Sequence, residues 1–215
     1  MPVTVFAGLY VFDDKKYYFI SLLLIAEAIL PFALSFENRV ISPREIVILS
    51  VLCAIGVSGR IAFFMLPQFK PLAAIVIITG ICFGCEAGFL TGAVSAFVSN
   101  FYFSQGPWTP WQMFGFAAVG FLAGLLFHKG ILRKTRSLLC IFGIAAVVFV
   151  YGPIADLSTL SYVNTPTWEY ILTTWTMGIS FNVIHGASTA FFLYTCAPAM
   201  IEKLERIKQK YGILK

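Results

Sequence analysis

Residues 72–103 read LAAIVIITGICFGCEAGFLTGAVSAFVSNFYF, a stretch in which Glu86 carries the sole formal charge. As one helix it would be about 48 Å long at about 1.5 Å per residue, against a hydrocarbon core of about 30 Å. It must tilt strongly or cross twice, and the charges elsewhere decide. Split near Gly84-Cys85-Glu86, the chain has seven crossings, the other apolar runs lying near 17–36, 46–66, 115–127, 138–154 and 170–199. Arg39, Arg44, Lys129, Arg133, Lys134, Arg136, Lys203, Arg206, Lys208, Lys210 and Lys215 then share one side. Only Lys15, Lys16 and Lys70 fall on the other, with Arg60 inside the membrane. Lys and Arg accumulate in cytoplasmic loops, so this pattern predicts a cytoplasmic C-terminus and an extracellular N-terminus. A single crossing would separate the basic loop 129–136 from Arg39, Arg44 and the basic tail. The two halves are short for crossings and are expected to form a broken or locally tilted pair, shielded by neighbouring helices.

Composition supports the membrane reading. The 215 residues are 59% hydrophobic and 12% charged, with a mean hydropathy of +0.86; soluble domains carry about 25% charged residues. The net charge of +5 comes from juxtamembrane loops and the tail, which points to anionic lipid and not to nucleic acid. Asp13 and Asp14 precede Lys15 and Lys16, and no small-residue cleavage site follows the first apolar run. That run is expected to stay in the mature protein. The fold class is therefore all-α, a polytopic helical bundle in the plasma membrane.

Catalytic chemistry is poorly represented. The five cysteines Cys53, Cys82, Cys85, Cys140 and Cys196 lie mainly in apolar segments, and structural disulfides are not expected. Cys82 and Cys85 form a C-x-x-C without a second pair or a nearby histidine, which reads as two small residues at a crowded helix junction. Phosphate-loop, H-E-x-x-H and nucleophile-elbow motifs are missing, so the chain is not expected to hydrolyse ATP or to act as an enzyme. Glu27 and Glu86 are too far apart in depth for paired acid and base work. Glu27, about 15 Å deep, is better placed to meet Arg60, about 10 Å deep. Arg60 thus has two readings: an intramembrane ion pair, or the floor of an outward pocket that binds a ligand carbonyl, carboxylate or phosphate.

Small residues recur every four positions at Gly80, Gly84, Gly88 and Gly92 and at Ala54, Ser58 and Ala62, and Gly120 accompanies Ala123 and Gly124. Such spacing permits close helix approach; the glycine series is expected to pack the two short crossings internally, while the Ala54, Ser58, Ala62 stripe suits a partner membrane protein. Outward segments converge on Gln68, Lys70, Gln105, Trp108, Trp111, Gln112, Tyr162, Asn164 and Trp168, with Asn100, Tyr102, Trp175, Asn182 and His185 just below. Interfacial aromatic belts explain many of these rings. Amides inside helices need partners across helices or on a ligand, and His185, lacking a second histidine or a close carboxylate, reads as a hydrogen-bonded interior histidine before a metal ligand or a proton relay.

Two segments carry a resemblance: Gly59-Arg60-Ile61-Ala62-Phe63-Phe64-Met65-Leu66-Pro67-Gln68-Phe69-Lys70-Pro71 and Gln105-Gly106-Pro107-Trp108-Thr109-Pro110-Trp111-Gln112-Met113. With the block 44–205 around them, they resemble the substrate-specific S components of energy-coupling factor transporters, in the cobalamin or queuosine-precursor group. The resemblance implies a six-helix substrate-binding core at 41–200. An extra transmembrane helix and extracellular N-terminus at 1–40 and a basic cytoplasmic tail at 201–215 would flank it. It implies a membrane T component and two cytoplasmic ABC ATPases as partners, with ATP bound by those ATPases and no cofactor in this chain. Ligand contacts are expected from Arg60, Phe64, Gln68, Lys70, Asn100, Tyr102, Gln105, Trp108, Trp111, Gln112, Asn182 and His185. Ala54, Ser58 and Ala62 are expected to meet the T component, where the family's second Ala is replaced by Ser58. Cobalamin, large and rich in amides, is the first choice of ligand, delivered by toppling of the subunit; a queuosine precursor is the alternative. From another class, a stand-alone secondary transporter would use Glu27, Arg60 and His185 for proton coupling, though no inverted repeat is visible.

Overall fold

The computed structural model describes residues 43–162 and 167–212, and all regular structure among them is helical. The apolar run 17–36, Glu27 with its proposed Arg60 pairing, Arg39 and Asn164 lie outside the described residues. Six helical rods follow in order: α1 Pro43–Ala62, α2 Leu72–Phe83, α3 Cys85–Phe103, α4 Trp108–Ala123, α5 Arg136–Ala146 and α6 Trp168–Tyr211. A π turn at Gly124–His128 prolongs α4. A second π turn at Val147–Tyr151, a helical turn at Gly152–Asp156 and a 3-10 turn at Leu157–Tyr162 prolong α5. Among the described residues three segments, Pro43–Ala62, Trp108–His128 and Arg136–Thr159, are long and apolar enough to cross a membrane, and the protein is a multi-pass membrane protein.

The run 72–103 breaks at Gly84, whose φ of 93° belongs to a region glycine enters without steric cost. Every residue of α2 is buried, the behaviour of a helix apolar on all sides. At twelve residues, about 18 Å, it lies in the centre of the bundle between α1, α3, α4 and α6. The glycines explain how α2, α3 and α4 approach so closely. A Cβ on Gly80 or Gly88 would collide with the Gly120 carbonyl, one on Gly92 with the Phe116 backbone, and one on Gly124 with Cys85.

Two boundaries differ from the sequence expectation. The apolar run near 115–127 marks this crossing in the sequence, yet the helix opens seven residues earlier, at Trp108. Prolines mislead here: Pro107 is the N-cap and Pro110 lies in the first turn, where a missing N–H breaks no intrahelical bond. At the other end, residues 201–211 continue α6, which closes at Gly212 with φ 62°. Lys208 Nζ donates to the Cys82 carbonyl at 3.0 Å, and Lys134 pairs with Glu205 at 2.9 Å, so the basic end of α6 is docked beneath α2.

Candidate functional site

Arg60 stands in the last turn of α1 and is 9% exposed. A guanidinium can only donate, and that fact orients its neighbours. Its Nη1 donates to Ser99 Oγ and, at 2.9 Å, to Asn100 Oδ1; Ser99 sends its own proton to the Ala96 carbonyl at 3.0 Å. With its oxygen facing Arg60, Asn100 turns Nδ2 towards α4 and donates to Thr109 Oγ1 at 3.2 Å and Gln112 Oε1 at 3.0 Å. Thr109 also accepts from the Gly106 N–H at 3.1 Å and donates to Gln105 Oε1 at 2.9 Å. Gln105 Nε2 in turn donates to the Phe97 carbonyl at 3.0 Å. The Asn100 amide thus bonds across helices, as an amide inside a membrane helix must. Gln112, its oxygen committed to Asn100, has N–H donors left to offer.

A cavity of about 260 Å³ opens beside this relay. The end of α1 and the loop after it contribute Arg60, Gln68 and Lys70; α3 contributes Asn100 and Phe103. Trp108, Gln112 and Phe116 follow at four-residue spacing on one face of α4. Leu72, Tyr151 and His185 complete the wall. Phe116 and Tyr151 pack with their rings tilted at 38° and centroids 4.2 Å apart, and His185 meets Tyr151 edge-on at 5.1 Å. Tyr151 ends a π turn, a device that shifts the facing of side chains within a helix and recurs at functional sites. His185 is 4% exposed, and among the described residues its Nδ1 has no partner.

The loop that carries Gln68 and Lys70 is held in place. Gln68 has a φ of 54°, and Ser188 Oγ on α6 donates to the Lys70 carbonyl at 3.2 Å. Arg60 and Lys70 both lie against the Phe103 ring, at 4.6 and 5.2 Å from its centroid. Burial, and after it the Arg60 charge, lower the pKa of the Lys70 ammonium.

Of the twelve ligand-contact residues expected from sequence, Arg60, Gln68, Lys70, Asn100, Trp108, Gln112 and His185 line this one cavity. The other five do not line it. Phe64 is exposed and packs edge-on against exposed Tyr102 at 5.8 Å. Gln105 holds Thr109 from an exposed loop, and Trp111 lies on a different face of α4 from the 108, 112, 116 stripe. Asn182 Nδ2 donates to Asp156 Oδ2 at 2.9 Å, joining α6 to the end of α5. Sequence reading missed Leu72, Phe103, Phe116 and Tyr151. Phe116 was accessible as the i+4 neighbour of Gln112, and Tyr151 as the hydroxyl within the apolar run 138–154.

Ala54, Ser58 and Ala62 are exposed on α1. Ala54 and Ser58 border a second, apolar groove of about 450 Å³ between α1 and α3, with Leu49, Val57, Leu90 and Val94 among its walls. Among the described residues no three His, Cys, Asp or Glu side chains gather to hold a metal. The chemistry available at the polar cavity is recognition: fixed donors, two cations and aromatic rings.

The profile of the family described as ECF transporter, substrate-specific component matches residues 44–197. A UPF0397 protein of Vibrio atlanticus (strain LGP32) is 28% identical over 134 residues, covering 56% of this chain and 73% of that protein. A UPF0397 protein of Aliivibrio fischeri (strain MJ11) is 26% identical over 135 residues, with 57% and 73% covered. No solved structure matches.

Proposed function

The chain belongs to the substrate-specific components of ECF transporters, and from that membership we propose that it captures a small, flat micronutrient in the cavity beside Arg60. It then delivers that ligand inward in complex with a T component and two ABC ATPases. The family is one of substrate-binding transport subunits, not enzymes. The observation that carries the ligand reading is the cavity: about 260 Å³, walled by Phe103, Trp108, Phe116 and Tyr151 and edged by amide and cationic donors. Small-molecule sites range over about 300–1,000 Å³, so this one suits a single ring system. Cobalamin, the first expectation, is less favoured by this volume, since a corrin with its amide arms is several times larger. A purine-like ring of the kind found in a queuosine precursor is within range.

Charge distribution supports an extracellular cavity and a cytoplasmic C-terminus. Lys134, Lys208 and Arg44 cluster at the opposite end, around Glu205, the Cys82 carbonyl and Tyr211, and basic residues favour the cytoplasmic face. The exposed Ala54 and Ser58, bordering the α1–α3 groove, are the proposed contact with the T component. Co-expression with a T component and the ATPases, followed by affinity purification, tests the role. A stable four-protein complex that the Ala54→Leu and Ser58→Leu variants fail to form is expected. A folded chain that never joins such a complex, yet transports by itself in proteoliposomes, overturns it in favour of a stand-alone transporter.

A further inference from the structure

We propose that the ligand carries a negative charge, a carboxylate or a comparable oxyanion, seated between Arg60 and Lys70. This deepens the proposed function and rests on it. Two basic side chains line one half-enclosed cavity, and among the described residues no carboxylate lines it with them. Asp156, on the neighbouring segment, is engaged by Asn182 at 2.9 Å. The shared Phe103 ring offers both cations a quadrupole, which attracts a cation far less than a full counter-charge does. Like charges in a poorly solvated site repel, and the depressed Lys70 pKa has that repulsion as its second cause after burial.

The remaining groups point the same way. Because Arg60 fixes Asn100, and Asn100 takes the Gln112 oxygen, the Gln112 amide keeps its N–H groups for the cavity. Arg60 and Lys70 have no acceptor to give. The cavity is therefore rich in donors, which complements an acceptor-rich oxyanion and opposes a protonated amine. Among flat micronutrients this selects acids over amines, a division that size alone leaves open.

Three probes of one size and shape separate the cases: nicotinate, nicotinamide and 3-(aminomethyl)pyridine, which are anionic, neutral and cationic near pH 7.5. Their affinities are read from thermal shifts of the purified protein in detergent at low salt, where screening is weak. Nicotinate is expected to raise the melting temperature, and the other two to do so at least about ten-fold more weakly, the factor expected for a charge-assisted hydrogen bond. Lys70→Gln, in a loop and safe for folding, is expected to cost nicotinate about ten-fold in affinity and to leave nicotinamide unchanged. Equal protection by the amide or amine overturns the proposal, as does a wild-type protein insensitive to nicotinate or a Lys70→Gln variant that binds it undiminished. If the wild type ignores nicotinate but a Glu27→Gln variant responds, Glu27 is the counter-charge and the anion is not needed. Complex assembly with the T component reads out separately: intact assembly without anion selectivity leaves the proposed function standing, and anion selectivity without assembly refutes that function alone.

Discussion

The same three helices are sealed along one stretch and parted along the next. Where α2, α3 and α4 carry Gly80, Gly88 and Gly120, the backbones touch and leave no room for a Cβ. One to about three turns back along α4 from Gly120, the side chains of Phe116, Gln112 and Trp108 line about 260 Å³ of enclosed space. Side-chain size at a few positions thus divides the bundle into a closed floor and a receptive mouth. A subunit built this way can hold a ligand without leaking it through its own centre, which suits the proposed delivery in complex with partner subunits.

Breaking the floor should have the largest effect. Gly120→Leu drives a branched side chain into the Gly88 backbone and is expected to cost about 3 kcal/mol or more. Aggregated or misassembled protein on size-exclusion chromatography is the expected result, and a normal monodisperse peak would show that the seam is not needed. Next comes Asn100→Leu, which removes the acceptor for Arg60 and the donor to Thr109 and Gln112. A buried guanidinium left short of a partner costs about 1–3 kcal/mol; the variant is expected to fold, to melt several degrees lower and to lose ligand binding.

A smaller loss of stability is expected from Tyr151→Phe, which keeps the ring packed against Phe116 at 4.2 Å and deletes one hydroxyl from the wall. Ligand affinity should fall by up to about ten-fold if the hydroxyl contacts the ligand, with the melting temperature of the ligand-free protein nearly unchanged. At the bottom of the scale, Met65→Ser, in a loop position 83% exposed, should stay within about 0.5 kcal/mol and leave the mouth intact. A melting curve shifted as far as that of Asn100→Leu would mean that the loop, not the relay, holds the mouth together.

Much of this division was legible in the sequence. The length of 72–103 against bilayer thickness allowed a tilt or a break, the distribution of basic residues chose the break, and Gly84 is where it occurs. An arginine in an apolar helix pointed to the mouth, but its partners Ser99 and Asn100 were not read from the sequence, which offered Glu27 or a ligand. What sequence did not encode was facing. Tyr102 and Phe103 are adjacent, yet only Phe103 lies three residues from Asn100 on the cavity face of α3. Phe64 and Tyr102 pair with each other outside the cavity. Trp108 and Trp111 looked equivalent within one motif until α4 was seen to begin at Trp108. The π turn ending at Tyr151 changes the helical phase locally, and no residue pattern announces it.

The most direct test of the account is mass spectrometry of small molecules released from the purified wild-type protein and from a folded Arg60→Ala variant. One compound with a single ring system, retained by the wild type and missing from the variant, is the expected result. Identical profiles from the two proteins, or selective retention of a corrin, would contradict the assignment of the Arg60 cavity as the substrate site.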